Sequence, residues 1–460
     1  MEVCSRAGTM ILRRLCRLLL RALPKMLADS SRSLKIHPPH MEAAIVGSES
    51  QELPNEILME IFALLQIPNL VRAGSVCSSW RAAYTGLCSS GTYKLQQTPC
   101  LLYTSEATSA SAVGLYNLVE KKAYTLTLPD PPIRSRHVIG SSYGWIVTAD
   151  EGCNLHLVNP ITGEQIILPS VTTIEQVKPI FDDAGAVCKY EYLWYTGEEI
   201  IADSPSIYVP SELREHLFYK AFLSSDPATA DYFVVLLHNP LSQLSFTRAG
   251  DNKWTWLPPH CHYEDCLFKG GLLYASTAFG EIHAFDLGAP VVEPGIVLGE
   301  VKDYRSERIY IVQDPCGDLL HIWRSNVPQG EDEEDEYDSD LEPELDPECH
   351  TSSIKVHKVE HTSQKLVEIS SMGENVLFLG KNQSLCLRAE EYPQLKANHV
   401  YFTDDEYLIM GSKNISRDIG VFDLENNNSE EIVSPQLWSN WPAPVWLIPN
   451  PRRMSYASVS

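Results

Sequence analysis

No run of about 18 uncharged apolar residues occurs in this 460-residue chain, so no segment reads as a transmembrane helix. Positive charge is scarce as well. The 36 Lys and Arg stand against 60 Asp and Glu, and the formal net charge of −24 argues against nucleic acid as a main partner. The 12 cysteines are scattered singly, without the spacing of a disulfide scaffold, which suits a reducing compartment. A phosphate-cradling glycine loop, an H-E-x-x-H pair and a dinucleotide fingerprint are all missing. The sequence therefore offers no cofactor and no obvious catalytic constellation.

What is present is unevenly distributed. One run, EDEEDEYDSDLEPELDPE at Glu331–Glu348, holds 12 acidic residues in 18, half of the net charge. Self-repelling and poor in apolar side chains, it reads as a disordered insert. It separates LLHIWRS from IKVHKVE, two stretches that would pair as strands, so it reads as a long hairpin loop. Its bland role is solvation; the functional alternative is contact with basic partners. Ser339, followed by Asp340 and Glu342, is a candidate phosphosite for an acidophilic kinase, where phosphate would deepen the charge.

Residues 1–48 form a basic extension, expected to be flexible. Arg13, Arg17 and Arg21 recur at i, i+4 among Ile11, Leu12, Leu15, Leu18 and Leu19, giving a basic amphipathic pattern. This suits an unstructured tail, a transit segment for mitochondrion or plastid within residues 1–27, or a membrane-surface helix. Met41 offers a later start.

The most strongly patterned stretch is Leu53–Tyr84. Pro54 is expected at the first helical position, where its missing N–H costs nothing. Ile57, Leu58, Ile61, Phe62 and Leu65 then share a helical face. Pro68 is expected to stop that helix and Asn69 to cap a second, carrying Leu70, Val71, Ala73 and Val76. Cys77, Trp80, Ala83 and Tyr84 continue the apolar side. Three short helices of this size make too small a core to bury all of these side chains, so a docking module is expected over 49–90.

The order Leu-Pro, Glu56, an Ile/Leu/Phe helix, a Pro-led second helix and Val-Cys-x-x-Trp resembles an F-box. That resemblance implies binding to a Skp-type adaptor of a cullin–RING ubiquitin ligase. The contacts it implies are Leu53, Pro54, Ile57, Leu58, Ile61 and Phe62, with Val76, Cys77 and Trp80 behind them. It also implies a cytosolic or nuclear setting, which weighs against organelle targeting.

Beyond Tyr84 the pattern turns to strands. Short β-branched and aromatic runs alternate with Gly, Asn, Asp and Pro turns, as in GWIVTAD (144–150), YFVVLLHNP (232–240), EIHAFDL (281–287), RIYIVQD (308–314) and NVLFLG (375–380). SELREHLFYKAFL from Ser211 is one of few helical windows, and it can instead enter a strand at Leu217. A weak repeat links GWIVTADEGCNLHLVNP, GLLYASTAFGEIHAFDL and RIYIVQDPCGDLLHIWRS, with units of blade size. The expected fold is a small all-α module followed by a large all-β domain over 100–450. That domain is expected to be β-propeller-like with about six blades, closed near DIGVFDLENNNSEEIV; packed β-sandwiches are the alternative. NPITGEQIILPS, GSSYGWIVT, GKNQSLCL, NHVYFTDDE and DIGVFDLE, in that order, resemble the C-terminal domain of a large plant F-box group, labelled domain of unknown function 295 and compared with kelch-type propellers. The resemblance implies a plant protein that recruits substrates and has no cofactor.

Three further features are candidates for chemistry. GSSYG at Gly140–Gly144 matches G-x-S-x-G, but a nucleophilic Ser142 needs a helix after the turn, and the strand WIVTA follows instead. His260, Cys261, His262 and Cys266 are the densest metal-capable group, yet adjacent residues are poorly placed for a tetrahedral zinc site. No metal is expected. The triplets at Asn382, Asn414 and Asn427 fit N-x-S/T but carry no weight in a cytosolic chain. WSNWPAPVW (438–446) is expected to pack over a propeller end or to contact a partner.

The sequence thus favours a non-catalytic ligase subunit whose β domain selects a protein target. The alternatives are an F-box protein that sequesters a target such as a kinase without degrading it, an organelle-targeted propeller, and a metabolite binder or enzyme.

Overall fold

The computed structural model describes residues 53–95, 97–197, 199–302, 307–328, 349–360, 362–392, 394–406 and 414–454. The basic extension, the acidic run and Ser339 lie outside them. The chain divides into two compact units, Met1–Gln97 with Asn450–Ser460 and Thr98–Pro449.

Among the described residues the first unit holds three helices, α1 (Asn55–Phe62), α2 (Ile67–Ala73) and α3 (Ser78–Ser90). Two expectations about their ends are corrected. Pro54 is the extended N-cap of α1, with φ −53° and ψ 145°, and its carbonyl accepts the Ile57 and Leu58 N–H groups. Pro68 opens α2 near its first turn and does not close α1, so Asn69 lies inside α2 and Gln66 is the N-cap. The α3 helix runs on to Gly91, which ends it in the left-handed conformation at φ 63°. That extra length brings Leu87 and Cys88 into the core. Gly74 lets α2 meet α3 closely, since a Cβ there would sit 2.7 Å from the Tyr84 ring. Residues after Pro449 return to this unit, with the Arg453 N–H donating to the Cys88 carbonyl.

The second unit is a ring of six sheets. The first pairs Val445–Leu447 with Cys100–Tyr103, Ala112–Asn117 and Lys122–Thr127. The second is His137–Ser142, Trp145–Ala149, Leu155–Val158 and Gln165–Ile167. The third is Phe218–Leu223, Phe233–His238, Gln243–Arg248 and Thr255–Leu257. The fourth is Tyr263–Lys269, Leu272–Thr277, Ile282–Phe285 and Gly295–Leu298. The fifth is Arg308–Gln313, Leu319–Pro328, Cys349–Glu360 and Lys365–Ile369. The sixth orders Leu385–Arg388, Asn375–Leu379, His399–Phe402, Gly420–Asp423 and Asn428–Glu430. Shared cores join successive sheets: Phe222 and Leu237 with Cys266 and Phe285, Ile282 with Ile311, Ile322 with Leu377, and Phe378 with Leu101 and Trp446. This is a β-propeller of six blades, as the strand pattern predicts.

Three details differ from expectation. Blade closure falls to Val445–Leu447, hydrogen-bonded to Cys100–Tyr103, whereas GVFD and NSE are outer strands of the sixth blade. The repeat in RIYIVQDPCGDLLHIWRS is one strand out of phase, because it spans the two innermost strands of its blade and the other two repeats span the second and third. A three-stranded sheet of Val177–Phe181, Val187–Tyr192 and Ser206–Tyr208 is inserted between the second and third blades, with no sequence signal recognised for it. The helical window resolves into α4 (Pro210–Leu217), which passes straight into the strand Phe218–Leu223.

The turns show why the strands pair as they do. Asp150, Asp182 and Asp314 each accept two backbone N–H groups two and four residues on, so one carboxylate holds each hairpin. Leu319–Pro328 pairs with Cys349–Glu360 from Leu320↔Lys358 to Pro328↔Cys349, so the acidic stretch joins two paired strands.

At the propeller axis the packing is polar. The segment Gly380–Ser384 crosses between blades: the Gln383 N–H donates to Ser141, the Ser142 hydroxyl to Gln383, and Lys381 Nζ to the Val138 carbonyl at 3.1 Å. Gly380 is required there, since a Cβ would lie 2.0 Å from Thr403 Oγ1 and φ is 135°. Asp265, fully buried, faces Lys220 Nζ at 2.7 Å and accepts from the Ser384 hydroxyl at 2.8 Å and the Ile311 N–H at 3.1 Å. Nearby, Arg324 bonds to Asp418 at 2.8 Å, and Tyr310 donates to Asp405 at 3.0 Å.

Removing one member of such a pair leaves a buried charge uncompensated. Asp265→Ala should therefore cost about 3–5 kcal/mol in urea unfolding of the propeller, and combining it with Lys220→Met should recover much of that loss. Burial pulls the Lys381 ammonium down from its ordinary 10.5 to about 7, with Arg417 adding repulsion. The cost of that buried charge is fully present below pH 7. It is relieved as pH rises toward 10.5, because only the unfolded chain then holds the proton. Stability should rise across this window by up to about 1.4 kcal/mol per pH unit, and Lys381→Met should remove that slope.

Candidate protein-docking face

The three helices close a core of their own, built from Leu58, Ile61, Phe62, Leu65, Leu70, Ala73, Ala83, Tyr84, Leu87 and Cys88. Trp80, half-buried, packs edge-on against Phe62 at 5.3 Å between ring centroids. Tyr93 ties the end of the module down, donating to the Leu65 carbonyl at 2.8 Å and accepting from Gln97 at 2.8 Å. Burial raises the Tyr84 phenol to about 12, so it stays neutral in the core.

The residues singled out from the sequence therefore divide. Leu58, Ile61 and Phe62 are 1 %, 3 % and 1 % exposed and face inward. Leu53 and Ile57 are 43 % and 39 % exposed, and Pro54 is exposed beside them at the start of α1. Val76 is half-buried, while Cys77 is exposed as the extended N-cap of α3. Leu64, 48 % exposed, lies just past the C-cap Ala63 of α1 and was not recognised in the sequence. Glu56 and Glu60 are exposed around these apolar side chains. Packing alone thus leaves large aliphatic side chains in water along and beyond α1 of a well-filled module, the surface expected of a protein-binding site.

The catalytic candidates are structural. Ser142 ends a strand whose hairpin turns through Tyr143 and Gly144, at φ 51° and 82°, and its hydroxyl is engaged by Gln383 at 2.7 Å. No helix follows, and Gly140 serves close packing, with a Cβ there 2.4 Å from the Ala221 carbonyl oxygen. Cys266 lies in the core of the third and fourth blades with Cys261 packed on it, while His260 sits on the Trp256 ring at 3.7 Å. Among the described residues no three His, Cys, Asp or Glu side chains gather to hold a metal ion, and no cysteine is in a disulfide. Asn382 is buried on the axis, its amide donating to the Phe378 and Gln383 carbonyls, so it is closed to glycosylation. No helix among the described residues is long and apolar enough to cross a membrane.

Residues 50–85 match the F-box-like family, and residues 115–423 match the KIB1-4 β-propeller family. The chain belongs to the KIB1-4 β-propeller family. Its relatives include plant F-box proteins of Arabidopsis thaliana. F-box protein KIB4 is 26 % identical over 60 % of this chain and 62 % of its own length. F-box protein SKIP23 is 21 % identical over 87 % of this chain and 96 % of its own. F-box protein At2g05970 is 22 % identical over 83 % of this chain and 90 % of its own. The match to SKIP23 and At2g05970 thus runs over nine-tenths or more of their own length. An F-box implies binding of a Skp-type adaptor.

The division between inward and outward side chains can be tested directly. Phe62→Ala should destabilise the helical module by about 3–5 kcal/mol. Ile57→Ala, which empties no core, should change thermal unfolding by less than about 0.5 kcal/mol.

Proposed function

We propose that this protein is the substrate-recognition subunit of an SCF-type cullin–RING ubiquitin ligase. The exposed set Leu53, Pro54, Ile57 and Leu64 docks on the Skp-type adaptor, and the propeller selects the protein to be ubiquitinated. The observation that carries this reading is the exposure of those side chains on a module whose core is already complete. Folding gives no reason for leaving three large aliphatic groups in water, whereas an apolar groove on a partner does. Leu58, Ile61, Phe62 and Trp80 act behind them by holding α1 rigid. Ubiquitin transfer belongs to other subunits of the ligase, so this chain supplies affinity and placement without bond chemistry. The setting that follows is nucleus or cytoplasm, where the ligase assembles. Residues 1–27 would instead carry any route to an organelle.

Co-purification with a Skp-type adaptor is the deciding measurement. Leu53→Ala with Pro54→Ala and Ile57→Ala should lower adaptor affinity by at least about tenfold while the propeller's unfolding transition stays in place. Unchanged capture would remove the adaptor reading. A captured target whose half-life lengthens when residues 49–90 are deleted is being degraded; one whose half-life is unaltered is being sequestered.

A further inference from the structure

Beside the first blade lies a cleft of about 590 Å³, inside the range of about 300–1,000 Å³ found for small-ligand sites. Its walls are the loop after Cys100–Tyr103, bearing Glu106, and the segment leading into the closing strand, bearing Gln436, Trp438, Asn440 and Trp441, with Arg134 at the side. That segment is fixed from behind, so its side chains are placed before any ligand arrives. The Ser439 N–H donates to the Thr104 carbonyl at 2.7 Å, and Arg417 Nε donates to the Asn440 carbonyl at 2.7 Å.

The charges at the cleft offset one another. Glu106 is exposed, and among the described residues its carboxylate has no hydrogen-bond or ion-pair partner. The Arg134 guanidinium is turned back onto the Ser105 and Thr108 carbonyls. Arg214 lies over the Trp441 ring at 5.5 Å and bonds to the Ser135 carbonyl and Glu215. An anion entering the cleft meets Glu106, and a cation meets Arg134 and Arg214, so neither sign of charge is favoured.

What the cleft does offer is neutral hydrogen bonding beside an aromatic plate. Gln436 Nε2 donates to the Trp438 carbonyl at 2.9 Å, which leaves Oε1 as an acceptor. Asn440 is anchored through its backbone, and among the described residues its side-chain Nδ2 donates to nothing. Together with the Glu106 carboxylate, these planar groups match neighbouring sugar hydroxyls, each of which donates and accepts at once. Trp438 is half-buried, packed against the core that holds Leu101 and Trp446, and it borders the cleft with its remaining surface. An indole held in that way suits the flat C–H face of a pyranose ring whose hydroxyls are equatorial.

We propose that this cleft binds a neutral saccharide, a pyranose with equatorial hydroxyls laid on Trp438 and hydrogen-bonded by Glu106, Gln436 and Asn440. The test titrates the full chain with methyl N-acetyl-β-glucosaminide in a calorimeter. Sorbitol supplies hydroxyls without the flat face, and glucosamine and glucuronate add one charge of either sign. The neutral glycoside should bind at least about tenfold more tightly than sorbitol, and more tightly than either charged sugar. Glu106→Ala and Trp438→Ala should each weaken it by about tenfold. Glu106 is exposed on a loop, so its variant reports on the cleft even if Trp438→Ala perturbs folding. The same sugar on the serine of a Gly-Ser-Gly tripeptide separates two sources of ligand. Tighter binding than the methyl glycoside supports a site for sugar carried on a protein, and equal or weaker binding supports a site for free saccharide. No binding of either glycoside overturns the proposal, as does binding unaltered by Glu106→Ala or a preference for a charged sugar. Adaptor capture is measured in parallel: its absence with saccharide binding intact refutes the ligase reading alone, and the reverse result refutes the cleft alone.

Discussion

The ring holds together around one carboxylate. Asp265 sits on the fourth blade with no access to water, and burial pushes its carboxyl up while Lys220 of the third blade pulls it back down. Ile311 of the fifth blade and Ser384 of the crossing segment complete its hydrogen bonds. Inner strands of a propeller converge on the axis, and apolar side chains packed there would fill the space without specifying which blade faces which. A charge that demands named partners from three different parts of the chain specifies that arrangement. The other axial contacts elaborate this arrangement. Gly380 allows the crossing segment to bend past Thr403, and Lys381 then reaches the second blade.

The helical unit solves a different problem with the same materials. Its core is filled by side chains at helical spacing and completed by the long α3. What is left over is the informative part. Exposed aliphatic groups are ordinary when scattered, but Leu53 and Ile57 flank the N-terminus of one helix, next to a proline that fixes the direction of entry.

The propeller was legible in sequence wherever a blade is regular. GWIVTAD, YFVVLLHNP and NVLFLG name strands because β-branched runs end in turn residues, and the Asp-led hairpins repeat visibly at Asp150 and Asp314. The inserted sheet was not legible, since Lys178, Lys189 and Glu191 break any apolar alternation and the strands are held by pairing more than by burial. The closing strand Val445–Leu447 hid inside a proline- and tryptophan-rich segment, where three residues give no periodicity. At the docking module the sequence showed which residues are apolar but not which way each points. Helical spacing placed Ile57 and Leu58 together as one group, although they are adjacent in sequence and about 100° apart around the helix, and only packing separates them.

The pairing of Val445–Leu447 with Cys100–Tyr103 bears on how the protein is made. In order of synthesis, every other strand of the ring precedes the one that seals it, so a growing chain carries the first blade as an open edge until then. Closing so long a loop costs only logarithmically more entropy than closing a short one, but the open edge persists for the time that translation takes. The helical module needs nothing from the ring strands for its ten-residue core. A nascent chain can thus complete its helical core while the ring is still unsealed, and the unsealed edge is what chaperones would have to guard.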